Sequence, residues 1–577
     1  MSSYDTIVRG GTVVDGTGGA PFVADIGISN GRIAAVGKVD GTAKEVIDAT
    51  GLLVTPGFVD VHTHYDGQAI WAERILPSSQ HGVTTVVMGN CGVGFAPCRS
   101  KDHDALIKVM EGVEDIPELV MTSGLTWDWE TFPQYLDALD RRKRDIDVAQ
   151  YLPHSPLRVF VMGERGVNRE AATEEDLKKM KALMSEALDA GALGFATSRL
   201  SIHRTGEGEH IPSFEANRRE LFAIGEVMAE KGRGLLQIVP NVSDDPRFPS
   251  DLDFMIEFSK KVGRPASFSL AQVNVDPEAW RAVLEKVGEA NRTGAQITAQ
   301  VFPRPTGLTL GLDCSINPFT FCPTYANDLA KLPIAERVKK MRDPSMKARI
   351  LSETPADATI PLYGMARDFA HMFRLDSVDD YEPSPDRSVE AEARRLGVSP
   401  LAHAYDLLLE KDGYALLHVA LANYTYGTLE PIRDMLRDQN TVLGLGDGGA
   451  HYGVICDASF PTYVLSHWTR DRKGGRLSVA EAIKLLAHDP AAAVGLSDRG
   501  KIAVGYKADL NVIDYDKLTL HVPHMVDDLP GGGRRLMQSA DGYVATLVGG
   551  VAIQRNGAST GALPGRLVRS GSIAQPV

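Results

Sequence analysis

Cysteine is scarce. Five in 577 residues are too few for a disulfide framework in so long a chain. Long apolar runs are missing too, and nothing reaches the roughly 18 residues a membrane-spanning helix needs. Basic blocks are short: Arg141-Arg142-Lys143-Arg144 stands alone, and the net charge is -14. A nucleic-acid-binding surface is therefore not expected. No Gly-x-Gly-x-x-Gly follows an early strand, which removes the usual dinucleotide site. No repeat or low-complexity tract occurs. Met1-Ser2-Ser3-Tyr4-Asp5 lacks the charged and apolar regions of a secretory leader. These absences lead us to expect a soluble, cytoplasmic protein acting on a small molecule, with a homo-oligomer left open.

Hydrophobic residues at 43% and charged residues at 24% suit a globular protein. The length exceeds one compact core. Thr6–Asp15 is β-rich, and Ala24–Ile28 and Arg32–Val36 flank Ser29-Asn30-Gly31, a hairpin signal. The far end mirrors this, with strands expected at Gly505–Asp514 and Tyr543–Val551. One small β domain made of residues 1–55 and 500–577 is the expectation.

The centre, 56–499, alternates strand and helix. Strand candidates are Thr84–Met88, Ala192–Ala196, Gly234–Val239, Ala295–Gln300 and Thr441–Gly446. Helices are expected at Glu174–Ala190, Arg218–Lys231 and Pro277–Thr293, the last with Asp276 as N-cap. Such alternation implies an α/β fold with a parallel sheet, and the length suits a (β/α)8 barrel. An open doubly wound sheet is the alternative. Residues 303–400 interrupt the pattern with Pro-rich turns and charged helices at Ala335–Arg349 and Ser388–Leu396. They read as an insertion over the active-site mouth.

The chemistry centres on Gly57-Phe58-Val59-Asp60-Val61-His62-Thr63-His64. Side chains alternate along a strand, so His62 and His64 face one way, as half of a metal site. Cys91 lies just past the Thr84–Met88 strand, on the face where barrels keep their active sites. A thiolate there suits zinc. Cys98, Cys314, Cys322 and Cys456 read as small buried hydrophobes. In Leu443-Gly444-Leu445-Gly446-Asp447-Gly448-Gly449-Ala450-His451 an apolar strand runs into an acid, a flexible turn and a histidine. Asp447 could bind a metal and carry a proton between water and leaving group. His451 could polarise a carbonyl or supply an outer hydrogen bond. Arg199, His203, Arg204 and Arg304 follow strands and could hold a substrate carboxylate. His154 could line the mouth or pack in a loop.

These segments give the chain a resemblance to the amidohydrolase superfamily, and within it to the N-acyl-D-amino-acid deacylases. Gly10–Gly16, Pro56–His64, Gly89-Asn90-Cys91-Gly92, Ala96-Pro97, Gly446-Asp447-Gly448 and Gly505–Leu510 carry it. The resemblance implies a distorted TIM (β/α)8 barrel, a small β-sandwich domain from both termini, and zinc-dependent amide hydrolysis. It maps metal binding onto His62, His64, Cys91 and Asp447. The family's further metal-binding histidines, after strands 5 and 6, have no counterpart in Leu235–Asn241 or Ser267–Asn274. Gln237 and Gln272 stand there instead, and amides are poor zinc ligands.

The reading is a metal-dependent hydrolase of an N-acyl amino acid or related amide, with one zinc or similar divalent ion per chain. A cyclic amide, carbamate or ester substrate on the same site is the second reading. A non-catalytic scaffold is the third.

Overall fold

The computed structural model describes residues 2–241, 245–355, 360–376 and 381–571. Both termini enter one nine-stranded sheet. From the N-terminal side come Ser2–Val13, Phe22–Ser29, Arg32–Gly37, Gly41–Asp48 and Leu53–Pro56. From the C-terminal side come Leu510–Ile513, Tyr543–Val548, Val551–Arg555 and Ala558–Ser559. The join is antiparallel: Leu510 pairs with Pro56 and Ile513 with Leu53. Asn30 and Gly31 both have positive φ at the expected hairpin turn, as a type I′ turn requires. Ile26, Ile28, Val54, Leu510, Val512 and Leu547 belong to a core separate from the barrel's main core. The sheet branches, because Gly41–Asp48 pairs with Ser2–Val13 off the main path.

We number the barrel strands β1 (Phe58–Asp60), β2 (Val83–Met88), β3 (Asp147–Gln150), β4 (Gly194–Ser198), β5 (Leu235–Val239), β6 (Ala266–Ser269), β7 (Ile297–Val301) and β8 (Thr441–Leu443). Neighbours pair in parallel along β1-β2-β3 and along β4-β5-β6-β7-β8. The two arcs meet where the chain beyond β3, Leu152–Pro153, pairs with Phe195 and Ala196 of β4. A parallel bridge between Thr63 and Gly448, with the His64 N–H donating to the Gly448 carbonyl at 2.7 Å, joins the ends of β1 and β8. The strands are nearly wholly buried, as parallel sheets covered by crossover helices are.

Two of the connecting helices start and stop where their sequences say. Glu174–Ala190 opens with a Thr173/Asp176 capping box and ends at Gly191, φ 108°. Arg218–Lys231 is capped by Asn217 and ends at Gly232. The helix expected at Pro277–Thr293 runs Ala279–Arg292, and its N-cap is Glu278, not Asp276. The one expected at Ala335–Arg349 is two, Ile334–Met341 and Pro344–Ser352. Pro344 cannot continue a helix and instead starts one, with Asp343 as cap.

The excursion between β7 and β8 builds a three-stranded antiparallel sheet from Thr306–Gly311, Met372–Arg374 and Leu416–Ala422. Its return strand therefore lies beyond residue 400. The excursion has its own apolar cluster, including Leu310, Phe319, Tyr405 and Val419. The Thr309 N–H bonds the Val454 carbonyl at 2.7 Å, which seats this sheet beside the loop carrying His451.

Candidate metal centre

Beyond β1, β2 and β8 the backbone leaves regular geometry. Cys91, Leu445, Asp447 and His451 all have positive φ, between 43° and 63°. Non-glycine residues adopt this conformation at a cost, and such strain gathers at functional sites. It also ends β8 at Leu443, short of the expected Gly446. Close packing fixes the turns. A Cβ on Gly92 would meet Thr197 Cα at 2.7 Å and Ala196 O at 2.9 Å. One on Gly449 would meet the Tyr65 N at 2.8 Å. Asn90 ties the Cys91 turn to the histidine segment, its Nδ2 donating to the Thr63 and Val87 carbonyls at 3.2 and 2.9 Å.

These turns bring three donor atoms together, with Asp447 against two of them. Cys91 Sγ lies 3.4 Å from His62 Nε2 and 3.8 Å from His64 Nε2. Asp447 Oδ1 lies 3.4 Å from His62 Nε2 and 3.6 Å from His64 Nε2. Tetrahedral zinc, with bonds of about 2.0–2.1 Å to nitrogen and about 2.3 Å to sulfur, puts its donors roughly 3.3–3.6 Å apart. Borderline-soft imidazole and thiolate with one carboxylate is a zinc-type donor set. Asp447 Oδ1 is buried without a hydrogen-bond partner, and orphaned buried acceptors are rare. His62, His64 and Cys91 place their donor atoms all within 4.8 Å of one another, and Asp447 Oδ1 approaches both imidazoles, so the residues fit a divalent ion held by three donors with Asp447 beside it.

A ring of other residues orients these donors. His62 Nδ1 lies 2.6 Å from Gln300 Oε1 on β7. The amide oxygen only accepts, so Nδ1 carries the proton and Nε2 keeps its lone pair for the pocket. Gln300 Nε2 in turn donates to Ser267 Oγ at 3.1 Å. On β5, Gln237 Oε1 accepts the Cys91 N–H at 3.1 Å. Gln272 is turned to other work: its Nε2 donates to the Pro277 carbonyl and its N–H to Asn423. Glu114, buried at the end of the helix His103–Glu114, places Oε1 3.2 Å from His64 Nδ1 and Oε2 3.7 Å from His451 Nε2.

Electrostatics follow from burial against this company. Burial would raise the Asp447 carboxyl, but His64 and His62 outweigh it and hold it well below the usual carboxylate range. Burial, then the charges of Glu114, Asp447 and Asp66, pushes the Cys91 thiol up. Burial likewise raises Glu114, reinforced by Asp447. His64 and His451 are lowered by burial, and His203 falls to about 3 through burial and the neighbouring His451 and His64. His64, His203 and His451 thus favour the neutral form.

Not every residue singled out by sequence stands in this cluster. His203 does come close, fixed through Nδ1 to Ser198 Oγ at 2.9 Å. The arginines are already engaged. Arg199 Nε donates to Asp251 at 2.5 Å. Arg204 is exposed and holds its own turn, bonding the Gly208 carbonyl. Arg304 has 0% exposure and is closed in by Asp457 at 2.5 Å, Ser459 and the Tyr381 ring. His154 is fully buried between Thr197 and Glu220, a packed histidine. Sequence reasoning missed Glu114 and Gln300. Gln300 gave a signal: it is the one strongly polar residue in Ile297–Val301 near the end where the ligands gather. Glu114 gave none.

The model of the amidohydrolase family matches residues 45–554. A protein of uncharacterised function from Mycobacterium tuberculosis is 29% identical, over 96% of this chain and 92% of its own. An N-acyl-D-glutamate deacylase from Alcaligenes xylosoxydans is 25% identical, over 89% of this chain and 88% of its own. The solved structure of an N-acyl-D-glutamate deacylase from Bordetella bronchiseptica, complexed with zinc and a phosphonate inhibitor, superposes with a TM-score of 0.64 at 22% identity, covering 99% of this chain and 100% of its own. The chain belongs to the amidohydrolase family, and with that membership is a metal-dependent hydrolase of carbon–nitrogen bonds.

Proposed function

We propose that this enzyme deacylates N-acyl-D-amino acids or closely related N-acyl substrates in the cytoplasm, using one zinc-class ion per chain held by His62, His64, Cys91 and Asp447. One observation carries the reading: donors from the ends of three strands converge at 3.4–3.8 Å, with Asp447 Oδ1 buried and otherwise unpartnered. The full-length relatedness to a deacylase of N-acyl-D-glutamate supports the substrate class.

When bound, the ion acidifies a water and polarises the scissile carbonyl. The rest falls to the chain's own groups. Asp447 stays ionised because two imidazoles face it. Its carboxylate takes the proton that the attacking water loses and returns it to the departing amine nitrogen. His62 is locked by Gln300 into the tautomer that aims a lone pair inward. His451, neutral, offers a ring N–H to the oxygen on which negative charge develops. Arg199, Arg204 and Arg304 are spent on Asp251, a turn and Asp457. Any of them serving a substrate carboxylate must first exchange that partner.

The test is a substrate panel on metal-analysed protein: N-acetyl-D- and L-amino acids, hydantoins, dihydropyrimidines and simple esters. We expect about one divalent ion per chain, D-selective amide cleavage, and loss of ion and activity together in His62→Ala. Turnover confined to cyclic amides or esters would overturn the substrate class. Protein that takes up no metal would overturn the ligand set.

A further inference from the structure

Other buried carboxylates in this protein accept hydrogen bonds, as Asp60 does from the His62 N–H and Asp66 from the Gly89 N–H and Gln150, or are drawn to cations. Glu220 is bonded to Arg158, Asp147 to Arg499 and Lys507, and Glu382 to Arg472. Glu114 is different. Its side chain is 2% exposed, yet it faces two imidazoles, His64 and His451, with the like charges of Asp447 and Asp66 nearby. Glu114 Oε1 and His64 Nδ1 lie 3.2 Å apart but out of line for a hydrogen bond, and neither has another partner. An uncompensated buried carboxylate is costly, so its place between two site histidines calls for an explanation that core packing does not give.

The backbone adds a third tie. The Glu114 carbonyl, at the end of its helix, accepts the His451 N–H at 2.5 Å. Asp115 then turns the chain away at φ 49°. One residue from beyond β2 thus touches a donor histidine on the β1 side and the histidine of the β8 loop. The His64 ring lies between Glu114 on its Nδ1 edge and the pocket on its Nε2 edge.

Resting on the metal reading above, we propose that Glu114 is a positioning residue that fixes the orientation and tautomer of His64 for metal binding and locks the His451 loop to it. A small turn of the ring brings Nδ1–H into line with the Glu114 oxygen, and Nε2 is then left as the lone-pair nitrogen. His451 is held at the rim of the same pocket by the other oxygen and by the backbone bond. The role differs from that of Gln300 on His62, since here the orienting group is a carboxyl and serves two rings.

The experiment uses cobalt as probe, with metal-free full-length protein reloaded with Co(II). We expect E114A to bind cobalt about 10–100-fold more weakly in chelator competition and to shift the visible Co(II) absorption bands. We expect E114Q to lie between E114A and the wild type, because its amide oxygen still accepts from Nδ1–H. Folded E114A with wild-type affinity and spectrum would overturn the role of Glu114 while leaving the metal reading intact. Wild-type protein that binds no cobalt would sink the metal reading itself. Failure of both E114A and E114Q to fold, while the metal-free wild type stays folded, would place Glu114 in the core and overturn the proposal.

Discussion

The barrel carries buried charge at both ends, and the two ends treat it in opposite ways. At the end where β3 begins, Asp147 receives Arg499 Nη1 at 2.7 Å, Lys507 Nζ at 2.8 Å and the Arg566 N–H at 2.9 Å. Asp509 shares Lys507 and also accepts the Gly549 N–H. Arg499 also reaches Asp498, which faces Arg32. This network joins the barrel to the β domain, and every member has partners. At the opposite end, Asp447 Oδ1, Glu114 Oε1 and His64 Nδ1 are buried and lack hydrogen bonds. Satisfied networks specify structure, whereas groups left short of partners and held in strained backbone mark chemistry. The difference separates the seam from the site without reference to any motif.

Asp447→Asn should break the comparison at its sharpest point. The change keeps shape and removes the ionised ligand and proton carrier. We expect kcat to fall about 10²–10⁴-fold while the melting temperature of the metal-free protein falls only slightly, since the change removes an ionised group that two imidazoles favour. A large loss of stability in metal-free Asp447→Asn would show that this end too is structural. Arg499→Ala should do the reverse. Taking one partner from a buried pair typically costs about 3–5 kcal/mol. We expect a clear drop in melting temperature with kcat per folded molecule unchanged, measured well below the transition.

Both ends were unequally legible in the sequence. The barrel's strands alternate with helices at Glu174–Ala190 and Arg218–Lys231 that fall where propensity and caps put them. His62, His64, Cys91 and Asp447 stand beside local punctuation, Pro-Gly or Gly-rich turns, so their positions at strand ends could be read. Glu114 could not. It ends an ordinary amphipathic helix and reaches the site only through the folded chain. The arginines show the opposite difficulty: a guanidinium after a strand looks the same whether it meets substrate or, like Arg304, a buried Asp457. The Asp147–Lys507 pair spans 360 positions, a separation at which no sequence pattern speaks.

Within the site, the two histidines offer a finer contrast. His64 is backed by a carboxylate, His62 by the neutral amide of Gln300. Gln300→Leu removes the acceptor at similar volume and frees the His62 ring to take either tautomer. We expect metal affinity to drop about 10-fold, near the lower end of the range for orienting partners, with the fold intact. An unchanged zinc dissociation constant in chelator competition would mean that packing alone orients His62.

The smallest expected effect concerns acid and belongs to the paired end. Burial alone would raise the Asp147 carboxyl, but Lys507 and Arg499 bring it down to about 2, from an ordinary 3.8. Unfolded protein binds the proton more readily than folded protein across this interval. The stabilisation from Asp147 is therefore complete above about pH 4 and fades as pH falls toward 2. A shift of this size corresponds to about 2 kcal/mol. Urea unfolding of the metal-free protein should show the slope between pH 4 and 2, and Asp147→Asn should flatten it. Asp447 is also held low, by His62 and His64, so metal-free Asp447→Asn is the matched control. If the slope survives in Asp147→Asn but vanishes in Asp447→Asn, the acid-sensitive charge lies at the site and not at the seam, and the division drawn between the barrel's two ends fails.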